Sequence, residues 1–124
     1  MRRLLPFVLA LLAAAVITAN PAQAGVGLAE LSGQQGDGPV TVFYPAQEAD
    51  QLMQRGPFAL QLAWQGTPVA GHGRLVVITH GSGGSPWVHT DLARALVQAG
   101  FVVALPEHAG DNYKDHSTPG PESW

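Results

Sequence analysis

His80-Gly81-Ser82-Gly83-Gly84-Ser85 holds the groups of this 124-residue sequence best suited to chemistry. Glycines at this density allow a tight turn, and a tight turn aims several backbone N–H groups at one point. Leu75-Val76-Val77-Ile78-Thr79 precedes the turn as an apolar, β-branched strand, and Ser85-Pro86 opens a helix directly after it. The loop therefore lies at the carboxyl end of a strand, where open α/β sheets bind their ligands. Such a cradle stabilises negative charge but does not create it. A nucleophile is needed for that.

Three readings fit the loop. In the first, Gly81-x-Gly83 begins a dinucleotide-binding fingerprint, and Glu107 past the next strand supplies an acid for the ribose. Against it, Pro86 stands where the third glycine belongs, and no lysine follows the glycines as a Walker loop requires. In the second, the glycines only solve the geometry of a strand-to-helix turn. In the third, the turn is an oxyanion hole that holds an acyl oxygen as it becomes negative.

No Gly-x-Ser-x-Gly occurs anywhere in the chain; Gly83-Gly84-Ser85-Pro86-Trp87 starts that pattern and ends in tryptophan. Ser85 reads as a helix cap, so neither it nor Ser82 reads as a nucleophile. His80, His89, His108 and His116 neighbour Asp91, Glu107, Asp111 and Asp115, but without the spacing of a zinc site, and neither metal nor organic cofactor is expected. His80 reads as shaping the turn, His108 as lying near the same crevice, and Trp87 as a wall of an acyl pocket. These three are the substrate-pocket candidates. Trp64 and Trp124 read as core or lid residues, and His72, in a glycine loop, as solvated.

The elements that must position the turn are legible around it. Val26 to Leu31 is a short apolar strand, and Val40 to Tyr44 a clear one bounded by Pro39 and Pro45. Ala46 to Gln54 is polar and reads as a loop or an irregular helical turn. Pro57 to Trp64 alternates, with Phe58, Leu60 and Leu62 on one face, which predicts a half-buried antiparallel strand. Arg74 to Thr79 is continuously apolar, as in strands buried on both faces. After the cap at Ser85, Leu92, Ala95, Leu96 and Ala99 form an apolar helical stripe, and Gly100 supplies the left-handed stop. Phe101 to Leu105 is a second continuous apolar strand, ended by Pro106. Strand, helix and strand make a βαβ unit with parallel strands. Glu107 to Trp124 shows no periodicity.

The turn in this setting resembles the His-Gly-x-Gly loop after the third strand of the α/β-hydrolase fold. The likeness continues through Asp91-Leu92-Ala93 and Ala99-Gly100-Phe101-Val102-Val103-Ala104 to Pro106-Glu107-His108, as in the predicted dienelactone-hydrolase group, itself similar to platelet-activating-factor acetylhydrolases. It spans about Pro39 to Trp124. The resemblance implies that the backbone N–H of Ser82 is an oxyanion donor, that Gly81 and Gly83 let the main chain approach the substrate carbonyl, and that the Ser82 side chain is nearly free. It also implies a nucleophile elbow after the next helix and strand, followed by an acid and a histidine, none of which these residues supply. The fold class expected is α/β: the N-terminal part of an α/β-hydrolase fold, antiparallel strands then a parallel βαβ unit, cut before the elbow. The activity implied for the complete enzyme is hydrolysis of a carboxylic ester or lactone through a serine acyl-enzyme. The competing reading is a non-catalytic, exported binding or vestigial domain.

Residues 1–24 read as a signal peptide. Arg2 and Arg3 form a basic head, Leu4 to Ala19 an apolar run, and Ala22-Gln23-Ala24 the small-x-small cleavage pattern. The 16-residue run is shorter than the roughly 20 residues needed to span a bilayer. Export to the periplasm or medium follows, with no stable membrane anchor after cleavage. Residues 25–124 then carry four Lys and Arg against nine Asp and Glu, a net charge of −5. Nucleic acid and anionic membrane surfaces are poor partners for that charge; a small ester or lactone is the partner expected. The absence of cysteine excludes disulfides, thiolate metal sites and a cysteine nucleophile.

Overall fold

The computed structural model describes residues 24–123; the signal-peptide reading of residues 1–24 falls almost wholly outside them, as does Trp124. Strands β1 (Gly25–Leu31), β2 (Val40–Ala46), β3 (Gln51–Arg55), β4 (Phe58–Trp64), β5 (Leu75–Val77) and β6 (Val102–Pro106) form one sheet in the order β3-β4-β1-β2-β6-β5. Helix α1 (Thr90–Gln98) connects β5 to β6, which pair in parallel from Leu75 opposite Val102 to Val77 opposite Ala104. β2 runs antiparallel to both β1 and β6. It continues through Pro45, past the Phe43–Val103 pair where the register with β6 ends, so the missing proline N–H interrupts no bond to β6.

Two strands differ from the sequence reading. Residues 51–54, expected as loop or helical turn, form β3 together with Arg55, and β3 pairs antiparallel with β4 across the two-residue turn Gly56-Pro57. β3 is an edge strand with mostly exposed side chains, so it needs no apolar pattern to form and shows none. β4 alternates as expected, with Leu60 and Leu62 buried, but is antiparallel only to β3; its pairing with β1 is parallel.

The helix begins as read and faces differently. Ser85 Oγ accepts the N–H of Trp87 at 3.1 Å and caps a 3-10 turn, Pro86–His89, that leads into α1. Gly100, at φ +95°, ends it: its N–H donates to Val97 O at 2.8 Å and the Phe101 N–H to Leu96 O at 3.0 Å, the paired bonds of a glycine helix stop. The buried face is Thr90, Ala93 and Val97 with Leu96 half-buried, whereas Leu92, Ala95 and Ala99 are exposed. Ala93, Leu96 and Val97 fit helical spacing as well as the expected stripe does. The sheet selects the face that brings small Ala93 against it.

Ala93 and Val97 join Val26, Leu28, Phe43, Leu60, Leu62, Val103 and Leu105 in one core on a single side of the sheet. β5 is therefore not buried on both faces. It is the sheet edge, and Leu75 and Val77 are 61% and 57% exposed because no described residue covers that side.

Candidate functional site

β5 ends at Val77, and the chain reaches the glycine turn through Ile78 and Thr79. The Ile78 N–H still donates to Ala104 O at 2.9 Å, which aligns the turn with the carboxyl end of β6. His80 is buried. Its Nε2 accepts the N–H of His108 at 3.1 Å, so that nitrogen carries a lone pair, and Nδ1, 2.8 Å from Gly81 O, is the protonated one. The His80 and His108 rings stand edge to face, 4.4 Å apart, and His108 Nε2 lies 3.2 Å from His80 O. His80 thus shapes the turn as read, by binding it to the loop after β6.

The loop from Glu107 onward, featureless in sequence, closes along the whole turn. Asp111 is fully buried and accepts three hydrogen bonds named here: from Ser82 Oγ and from Gly83 N at 2.8 Å each, and from Gly120 N at 3.0 Å. The Tyr113 N–H donates to Gly84 O at 2.9 Å, and Asn112 braces the loop internally by donating to His108 O at 2.8 Å. The Ser82 side chain is therefore engaged, not free. Sequence reasoning passed over Asp111 except as a metal neighbour, because a carboxylate 29 residues from Ser82 leaves no local periodic signal.

The backbone donors of the turn are unequal. The Gly83 N–H is taken by Asp111, and the Gly84 N–H donates to Gly81 O at 2.9 Å. No acceptor among the described residues takes the N–H of Gly81, Ser82 or Ser85. Gly83 sits at φ +66°, a backbone conformation that favours glycine. Gly81 does not: its φ is outside that region, and a Cβ built there meets nothing within 4 Å. The fold requires glycine at 83 and leaves open space at 81.

Two clefts flank this region. One, of about 550 Å³, is lined by Gly83, Gly84, Ser85 and Trp87 from the turn and helix start, with Phe58 and Tyr113 opposite. Arg55 enters it with its guanidinium 4.0 Å over the Trp64 ring, and Lys114 pairs with Glu107 at 3.2 Å on its wall. Burial alone would lower the Lys114 ammonium, but the hydrogen bond and charge of Glu107, with Tyr113, outweigh it and hold the group above its ordinary value. The second cleft, about 660 Å³, is lined by Thr79, His108 and the 117–123 segment. The three pocket candidates do not converge: Trp87 lines the first cleft, His108 the second, and His80 neither. Among the described residues no group of three or more His, Asp or Glu could hold a metal ion, and no helix is long and apolar enough to cross a membrane.

No protein-family model matches the chain, and no curated protein matches it. Among solved structures it is similar to a ferulic acid esterase from Streptomyces cinnamoneus, with a TM-score of 0.56 and 21% identity, covering 76% of this chain and 36% of that one. The chain thus spans about a third of that esterase's length. At this identity the likeness is one of fold alone.

Proposed function

We propose that this chain supplies the oxyanion hole of an exported serine hydrolase acting on a carboxylic ester or lactone, with the nucleophile, acid and histidine contributed by residues outside these 124. The observation that carries the reading is the Ser82 N–H, which no acceptor among the described residues takes, beside open space at Gly81 and at the carboxyl end of parallel strands in a fold similar to that of an esterase. When a serine attacks an acyl carbon, the carbonyl π electrons move onto oxygen. A preorganised N–H about 3 Å from that oxygen stabilises it more than it stabilises the neutral carbonyl, and one such donor contributes roughly 3 kcal/mol to the barrier. The chemistry uses no metal and no organic cofactor.

The test has two arms. In the enzyme completed by a Gly-x-Ser-x-Gly segment, sought in the DNA downstream of the Trp124 codon, Ser82→Pro removes the donor and lowers kcat by about 100-fold or more. Equal turnover by the proline variant sinks the assignment. Residues 25–124 alone should hydrolyse p-nitrophenyl acetate no faster than buffer; serine-dependent turnover by that piece contradicts the division of labour. Downstream DNA without an elbow in any frame favours the non-catalytic binding domain, for which the 550 Å³ cleft is the binding site. Export is tested by N-terminal sequencing of the secreted product, which should begin at Gly25.

A further inference from the structure

We propose that Asp111 is the positioning residue of the Ser82 turn, holding the Ser82–Gly83 peptide in place and withdrawing the Gly83 N–H from those the loop offers to a substrate oxygen; the assignment rests on the oxyanion reading of Ser82. A fully buried carboxylate is costly unless hydrogen bonds hold it. Here the bonds go to the turn itself. Oδ1 accepts from both the Ser82 hydroxyl and the Gly83 N–H, so one oxygen fixes two successive residues, while Oδ2 accepts from Gly120. A glycine-rich loop with several uncommitted amides could rotate its peptide planes and present any of them. With Gly83 drawn inward to the carboxylate and Gly84 bonded to Gly81 O, the turn's amides left for a ligand are those of Gly81, Ser82 and Ser85, and Ser82 adjoins the committed Gly83. The loop that delivers Asp111 is tied to the turn on both sides, by His108 N on His80 Nε2 and by Tyr113 N on Gly84 O. The carboxylate is therefore held against the turn and does not swing with solvent.

Residue-resolved amide hydrogen exchange on the full chain, at micromolar concentration, tests this without requiring activity. In the wild type the Gly83 amide should be protected and the Ser82 amide should exchange fast. Asp111→Ala should speed Gly83 exchange roughly ten- to hundredfold, the range for losing a hydrogen bond to a charged group, while the amides of α1 and β6 keep their protection. Unchanged Gly83 exchange overturns the proposal. So does a loss spread equally over α1 and β6, which marks a general support of the fold. Should Asp111→Ala fail to fold, Asp111→Asn decides. Its carbonyl can still serve Gly83 while its NH₂ faces the Gly120 N–H, so Gly120 should lose protection and Gly83 retain it; no change at Gly120, or loss at both glycines, overturns the assignment. The two hypotheses fail separately. An esterase that tolerates Ser82→Pro removes the oxyanion reading without altering Gly83 exchange, and an unprotected Gly83 removes the role of Asp111 alone.

Discussion

At the scale of single residues, the glycine turn contains side chains and hydrogens with separate duties. The resemblance implied a Ser82 hydroxyl with nothing to do, yet it donates to a buried carboxylate. Ser82→Ala should therefore destabilise the chain by about 1–2 kcal/mol, since Asp111 loses a donor it cannot replace from water; a urea midpoint equal to wild type would show the bond to be idle. Gly81→Ala should do the opposite. Its backbone is not left-handed and the added methyl meets nothing, so stability should hold or rise by up to about 1 kcal/mol, while under the proposed function turnover by the complete enzyme falls. Glu48 carries a pH signature. The Thr67 hydroxyl, then backbone N–H groups, hold its carboxyl below the ordinary value. A depressed folded value means a contribution present above the unfolded pKa and lost as pH falls through the folded one. Thr67→Val should move the Glu48 titration upward in a carboxyl NMR experiment; an unmoved curve would show that the hydroxyl is not its cause.

Elements were read well where pattern and burial coincide and poorly where burial is decided by a neighbour. β1, β2, β4 and β6 announce themselves because each places side chains in the core. β3 does not, being an edge whose side chains stay in water. The buried stripe of α1 lies about one residue from the expected one, since two overlapping apolar series share the helical period and only the sheet chooses between them. β5 has the opposite problem. Its apolar run reads as doubly buried, but Leu75 and Val77 face a side on which no described residue packs. An exposed apolar edge pairs readily with other chains. Residues 25–124 alone should accordingly self-associate with rising concentration in sedimentation runs, and Val77→Lys should reduce that association. A monomer that unfolds sharply and reversibly at high concentration would contradict the expectation.

The whole molecule is tied together by contacts between distant parts of the chain. Arg94 on α1 meets Asp50, just before β3, at 2.9 Å, and the same carboxylate accepts the Val26 N–H at 2.6 Å, joining helix, β1 and β3. Arg94 Nη1 is buried with no partner among the described residues, so the pair carries its own cost. Asp50→Ala, which strands both a cation and an amide, should destabilise by about 1–3 kcal/mol, and Arg94→Met by less; the reverse order in thermal unfolding would refute this account. Local chemistry is what the sequence by itself determined: a strand ending in glycines, a serine-capped turn, a glycine stop and a parallel return strand, each set by steric and hydrogen-bonding preferences within a few residues. The partners of those elements came only from tertiary structure, because they depend on segments tens of residues apart meeting across the sheet. Chief among them is Asp111, whose buried carboxylate occupies the Gly83 N–H and the Ser82 hydroxyl and so fixes the turn.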